Sequence, residues 1–273
     1  MFKEMLEAVR QQRPLIHNIT NYVTANDCAN LLLACGASPI MADDPEEAAE
    51  ITALCAGLCI NLGTLNHSTV PAMLAAGKRA GELGRPAVLD PVGAGASRLR
   101  TETALRLLRE VPFTAVRCNL SELKTLAYGS TTAKGVDAGE ADRITEENLA
   151  HAAALVKDFS RRHRVIAAVT GPIDIVTDGE RALCIRNGIP MMSAVTGTGC
   201  QLSSLTAAFL AANPGQPLKA AAAAVCAMGL CGETACRRLT GQDGNASFRS
   251  YIIDTLYHLT PDGLEKGANY EVL

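Results

Sequence analysis

Apolar and polar positions alternate along this chain in two periods. Short apolar runs of four to seven residues, the length of a buried strand, are separated by longer stretches whose apolar positions recur at helical spacing. Runs at Ser38 to Met41, Gly57 to Leu62, Pro86 to Asp90, Thr114 to Asn119 and Arg164 to Thr170 read as strands. Between and before them, Met1 to Arg13, a first long helix after Asn26, a helix opened by Asp44-Pro45-Glu46-Glu47, Val70 to Leu83, Thr101 to Glu110, a short helix from Ser121, and Thr145 to Arg161 read as helices. Ile173 to Thr177 and Ala182 to Arg186 flank Asp178-Gly179, a turn pair that predicts a β-hairpin. The last third is helical: Cys200 to Ala212, Leu218 to Leu239 and Phe248 to Leu259.

Repeated strand-helix units predict an α/β fold, a mostly parallel central sheet covered by helices on both faces with an antiparallel addition from the hairpin. No linker or low-complexity run interrupts the alternation, so residues 1–273 read as one domain. Thr131 to Glu140 is the one loose stretch, a surface loop or a flap over a site.

Composition narrows the function classes. With 25 basic and 28 acidic residues the net charge is −3, which offers neither a nucleic-acid footprint nor a basic membrane surface. Aromatic residues make up 4% with no Trp, so stacking platforms for bases are excluded as well. The ten cysteines are scattered and match no zinc spacing, which predicts reduced, mostly buried thiols. The charged N-terminal stretch lacks the features of a secretory signal, and the uncharged run Ala220 to Gly232 is too short to span a bilayer, so a cytoplasmic protein with no membrane partner is expected.

In such a sheet, ligands bind beyond the carboxyl ends of the strands. Polar residues collect there: Asn61-Leu62-Gly63-Thr64, Asp90-Pro91-Val92-Gly93-Ala94-Gly95, Arg117-Cys118-Asn119 with Glu122, and Thr170-Gly171. They point towards Val195-Thr196-Gly197-Thr198-Gly199-Cys200, whose glycines admit a ligand close to the backbone and whose following helix presents free N–H groups to an anion. The same helix start is expected to favour the thiolate of Cys200. Each residue also has a plainer reading. Asp90 suits a hydrated Mg²⁺ or a turn cap, and Asn119 with Glu122 suits magnesium or a capping box. Arg117 suits a phosphate or a structural ion pair. His17, Asn18, Thr20, Asn21 and Asn26 suit a pocket wall or helix caps. No P-loop, dinucleotide fingerprint, H-E-x-x-H or G-x-S-x-G occurs, leaving phosphate chemistry on another α/β scaffold.

Six ordered segments between Arg13 and Leu259 carry a resemblance: His17-Asn18-Ile19-Thr20-Asn21, Gly36-Ala37-Ser38-Pro39-Ile40-Met41-Ala42, Asn61-Leu62-Gly63-Thr64-Leu65, Leu89 to Ala96, Lys134-Gly135-Val136-Asp137 and Val195 to Cys200. Together they resemble the hydroxyethylthiazole kinases of thiamine salvage, within the ribokinase-like superfamily. The resemblance implies a ribokinase-like fold, ATP and Mg²⁺ as cofactors, a thiazole alcohol as substrate and a homotrimer with sites at subunit interfaces. It also implies that Met41, Gly197 and Asn21 contact substrate, Arg117 and Thr170 contact ATP, and Asp90 and Glu122 surround magnesium. Cys200 takes the place where most members of the superfamily carry an aspartate base. Hydroxymethylpyrimidine or another small alcohol is the alternative acceptor, and a catalytically silent ligand-binding protein is the alternative class.

Overall fold

The computed structural model describes residues 1–129 and 143–273. Thr131 to Glu140 and the Lys134 to Asp137 segment therefore lie outside the described residues. Nine strands form one sheet: β1 (Leu15–Ile19), β2 (Ser38–Met41), β3 (Gly57–Asn61), β4 (Ala87–Asp90), β5 (Ala115–Asn119), β6 (Ile166–Thr170), β7 (Asp174–Thr177), β8 (Ala182–Ile185) and β9 (Tyr270–Val272), in the order β2-β1-β3-β4-β5-β6-β7-β8-β9. The pairs from β2 to β6 are parallel and those from β6 to β9 antiparallel, which is the mixed sheet expected from the pattern.

The pleat sorts consecutive side chains to opposite faces. Cys59 of β3, Val88 of β4 and Ala115 of β5 join one apolar cluster with α1 (Lys3–Gln12), α2 (Ala25–Cys35), α8 (Thr198–Ala212), α9 (Pro217–Arg238) and α10 (Asn245–His258). Their neighbours Leu58, Leu89 and Val116 join a second cluster with α4 (Thr69–Glu82), α5 (Arg98–Glu110), α6 (Leu120–Tyr128) and α7 (Leu149–His163). The central strands β3, β4 and β5 are thus buried on both sides, as a parallel sheet requires. α3 (Ala48–Leu54) and α11 (Pro261–Gly267) complete the helices described. α9 is long and apolar enough to cross a membrane by length and composition, but it packs against α8 and α10 and most of it is buried in the fold.

Several expectations need correction. β1 was not anticipated, because His17 and Asn18 break its apolar run, yet both are fully buried in the sheet. His17 is no pocket wall: its Nδ1 meets Thr52 Oγ1 at 2.8 Å and its Nε2 the Ala42 carbonyl at 2.7 Å. Several helices start elsewhere than the apolar pattern suggests: α3 at Ala48, after a turn in which Asp44 Oδ1 accepts the Glu46 N–H, and α10 at Asn245 instead of Phe248, while in α5 and α7 a polar side chain decides. α5 begins at Arg98 because the Ser97 hydroxyl accepts the Arg100 N–H, and α7 only at Leu149 because Asn148 Oδ1 accepts the Thr145 N–H in a preceding turn. α8 begins at Thr198, two residues before Cys200, behind Gly197 in the left-handed region at φ +83°. All ten cysteines are free, and nine are buried.

Candidate active site

Because β1, β3, β4, β5 and β6 run parallel, their carboxyl ends meet along one rim, with Asn61 beside Asp90 and Asn119 beside Thr170 in register. α8 packs across β1, β3 and β4, bringing its first turn to the same rim. There, the chain of polar contacts runs in one direction. Thr24 donates from its N–H and its hydroxyl to Asn21 Oδ1, both at 3.1 Å. Asn21 Nδ2 donates to Asn61 Oδ1 at 3.0 Å and to Cys200 Sγ at 3.3 Å. Asn61 Nδ2 donates in turn to Asp90 Oδ2 at 2.7 Å, and Ser203, one turn beyond Cys200, donates to the same oxygen at 2.7 Å. Asp90 is fully buried, and its other oxygen, Oδ1, has no hydrogen-bond partner.

Facing that oxygen is Arg117, with Nη1 3.7 Å away. Its Nη2 donates to Thr170 Oγ1 at 2.5 Å, while its buried Nε finds no partner. The ion pair and the open donor coexist, so the two readings of Arg117 are not exclusive. A Cβ on Gly199 would lie 2.8 Å from the guanidinium carbon, so the guanidinium rests directly over the opening of α8. The N–H groups of Thr198, Gly199 and Cys200 precede the first intrahelical bond, from Gln201 N–H to the Gly197 carbonyl at 2.9 Å. An anion placed here meets a fixed cation and the positive end of a helix together.

Glu122 meets its plainer reading without excluding the other. Asn119 and Glu122 form a complete capping box, Asn119 Oδ1 accepting the Glu122 N–H at 2.8 Å and Glu122 Oε2 the Asn119 N–H at 2.9 Å. Oε1 meanwhile accepts the Gly93 N–H at 2.8 Å, tying the glycine loop after β4 to α6. Burial, and then the charge of Asp90, push the Glu122 carboxyl up to about 7. Burial likewise raises Asp90, with Arg117 pulling the other way. Among the described residues no three metal-ligating side chains gather. Two carboxylates, one with an unpartnered oxygen, nevertheless fit a hard cation that takes its remaining ligands from water and phosphate.

Cys200 departs from expectation in its charge. Burial and the neighbouring Asp90 carboxylate raise the thiol above its ordinary value, outweighing the amide donors of Asn61 and Asn21. The resting residue is a thiol, and the helix dipole does not decide its state. Gly197 is held for two reasons, its positive φ and the Thr24 side chain that would collide with any Cβ there. Asn21 spends its polar atoms on Thr24, Asn61 and Cys200, so it orders the site from behind. Met41 stands apart, 37% exposed at the end of the edge strand β2. Asn61 had been read only as part of a strand-end group, and Ser203 had not been singled out. The signal for Ser203 was a hydroxyl one helical turn after Cys200, though Ser204 and Thr206 of the same helix dilute it. Two clefts of about 380 and 410 Å³ open elsewhere, sharing Arg164 and Val165 just before β6, at the opposite end of the sheet.

Residues 6–262 match the Hydroxyethylthiazole kinase family. The chain belongs to that family. A hydroxyethylthiazole kinase of Clostridium acetobutylicum is 55% identical over 271 residues, covering 99% of both chains. The solved hydroxyethylthiazole kinase protein of Pyrococcus horikoshii superposes with a TM-score of 0.87 at 36% identity, covering 100% of this chain and 98% of that one. A ribokinase-like superfamily protein of Enterococcus faecalis, 13% identical, shares the fold over 95% of each chain with a TM-score of 0.62. The fold of this hydroxyethylthiazole kinase family member is thus ribokinase-like, as the ordered segments implied.

Proposed function

We propose that the protein transfers the terminal phosphoryl group of ATP to the primary hydroxyl of 4-methyl-5-(2-hydroxyethyl)thiazole, in thiamine salvage. The observation that carries this reading is the Arg117 guanidinium over Gly199, with an unpaired buried Nε, beside the free N–H groups that open α8 and next to Cys200. Arg117, supported by Thr170, binds the phosphates of ATP. The first-turn N–H groups receive the charge that develops on the phosphoryl in flight. Asp90 and Glu122 hold Mg²⁺, which when bound neutralises phosphate charge. Cys200 orients the alcohol and takes its proton late, because phosphoryl transfer has a loose transition state in which the attacking oxygen stays largely protonated. Because burial favours the thiol, that proton transfer draws on the minor thiolate form of Cys200, which ends the step as the thiol.

Gly197 and Met41 contact the thiazole. With Met41 exposed in the single chain, and Tyr22 (83%) and Val23 (56%) exposed nearby in sequence to Asn21, the substrate pocket is completed by a neighbouring subunit of a homotrimer. The protein acts in the cytoplasm. A coupled assay of ADP release tests the reading across thiazole, hydroxymethylpyrimidine and sugar alcohols, each with and without Mg²⁺. Turnover that requires both metal and the thiazole is expected; turnover with the pyrimidine and none with the thiazole overturns it.

A further inference from the structure

The two sides of the site reach the rim on different loops. Cys200 is held through Asn21 and Asn61 by the loop after β3, where Gly63 donates its N–H to Asn61 Oδ1 at 2.9 Å and lies so close to Asn21 that a Cβ would come within 2.8 Å of its amide nitrogen. Glu122 is held by the loop after β4, through the Gly93 N–H. Past the strand ends the ladder continues by one bond, from the Leu62 N–H to the Asp90 carbonyl at 3.0 Å, and beyond it something else must set the separation of the two loops.

Arg100 does this. From the first turn of α5 its Nη2 donates to the Gly63 carbonyl at 2.6 Å and its Nη1 to the Val92 carbonyl at 2.7 Å. A planar guanidinium fixes the angle and spacing of two acceptors at once, which a single ammonium cannot. Among the described residues Arg100 has no carboxylate within ion-pair distance, so its charge is directed at the two carbonyls. The surroundings are shaped to it. Gly93, at φ +73°, leaves room where a Cβ would sit 2.9 Å from Arg100 Nη1, Ser97 Oγ caps the Arg100 N–H, and the adjacent Thr101 Oγ1 accepts the Gly95 N–H at 2.9 Å.

We propose that Arg100 is a positioning residue for phosphoryl transfer, bridging the Gly63 and Val92 carbonyls so that the cysteine side and the carboxylate side of the site keep a fixed separation. It touches neither ATP nor alcohol. The proposal rests on the kinase reading above, and it makes the rate, rather than either affinity, the quantity that Arg100 controls. A displacement of about 1 Å between reacting groups costs about a hundredfold in rate.

The test compares the full-length wild type with Arg100→Met and Arg100→Lys. The expected result for Arg100→Met is a fall in kcat of about a hundredfold, with KM for ATP and for the alcohol each within about twofold. Arg100→Lys, able to reach one carbonyl at a time, falls between the two and keeps the question open to experiment if Arg100→Met folds poorly. Hydrogen exchange read by mass spectrometry supplies a measure independent of catalysis: peptides over Asn61–Leu65 and Val92–Ala96 exchange faster together in the variants. A kcat per folded molecule close to wild type overturns the proposal, as does a rise confined to KM for ATP, which makes Arg100 a phosphate ligand. Exchange in which only one loop loosens also overturns it. Failure of the wild type to phosphorylate the thiazole refutes the kinase reading, while the exchange data still decide whether Arg100 joins the loops.

Discussion

The two halves of the site satisfy their polar groups to different degrees. In the string from Thr24 through Asn21 and Asn61 to Asp90 Oδ2, each amide both donates and accepts within the protein, although Asn18 Oδ1 and Thr20 Oγ1 beside it have no partner. On the side of β5 and β6, Arg117 is part-buried, with a buried Nε that has no partner, and faces an open Asp90 oxygen. Leaving buried polar atoms unpaired costs on the order of 1–3 kcal/mol each, so a fold keeps them only where a ligand or water completes them. A saturated network gives shape; an unsaturated one gives recognition. On the proposed reading, phosphate would bind on the Arg117 side and the amide side would place the thiol.

Arg117→Ala presses hardest on this contrast. Removing the open donor should lower kcat/KM for ATP by roughly a thousandfold, in the range of an arginine acting on a transferring phosphoryl. Melting should change far less. If instead the variant melts much earlier and activity per folded molecule is normal, Arg117 is only the partner of Asp90 and the contrast fails.

A smaller loss is expected on the saturated side. Cys200→Ala should slow single-turnover transfer at saturating ATP and alcohol by on the order of a hundredfold, and Cys200→Asp should retain more activity because a carboxylate can take the same proton. Full activity in the alanine variant would leave the chemistry to the backbone N–H groups and Arg117. Asn61→Leu tests the string itself: about tenfold slower turnover is expected, because losing the bond to Asp90 Oδ2 lets that carboxylate turn. An unchanged rate would show that Ser203 alone suffices.

The smallest effect concerns Asp174, at the start of β7. It is buried, accepts the Gly171 N–H at 2.9 Å, and burial lifts its carboxyl to about 7. The folded state therefore holds a proton that the unfolded chain releases near its ordinary value of 3.8, and this group's contribution to stability falls as pH rises from there to about 7. Asp174→Asn should gain on the wild type in melting temperature between pH 5 and pH 8. A constant difference across that range would show that Asp174 does not titrate there.

Much of this organisation was legible beforehand, for physical reasons. β3, β4 and β6 are apolar up to their last residue, β5 is broken only by Arg117 before its closing Asn119, and the β7-β8 hairpin is marked by its Asp178-Gly179 turn; burial on both faces leaves such runs no other use. β1 was hidden because two of its five positions are His17 and Asn18, whose partners Thr52, Ala42 and Ile16 come from the tertiary structure and the sheet. The rim residues were legible because parallel strands all end on one side. Their mutual arrangement was not, since nothing in the sequence says that Asn21 turns its amide to Cys200 or that Ser203 meets Asp90. The charge state of Cys200 was misjudged for a related reason: the helix start is local and visible, whereas burial and Asp90 come from distant parts of the chain. Arg100 carried no signal in the sequence, since it precedes the helix expected from Thr101 and its two carbonyl partners lie on other loops.

Gly199 has one further consequence. A methyl group there would occupy space now filled by the Arg117 guanidinium, while the position, inside the first turn of α8, is one where alanine forms helix better than glycine. In a deep mutational scan the two readouts should therefore part company at position 199. Scored by protein abundance, Gly199→Ala would rank as neutral or improved; scored by growth that depends on the alcohol, it would rank with the inactive alleles.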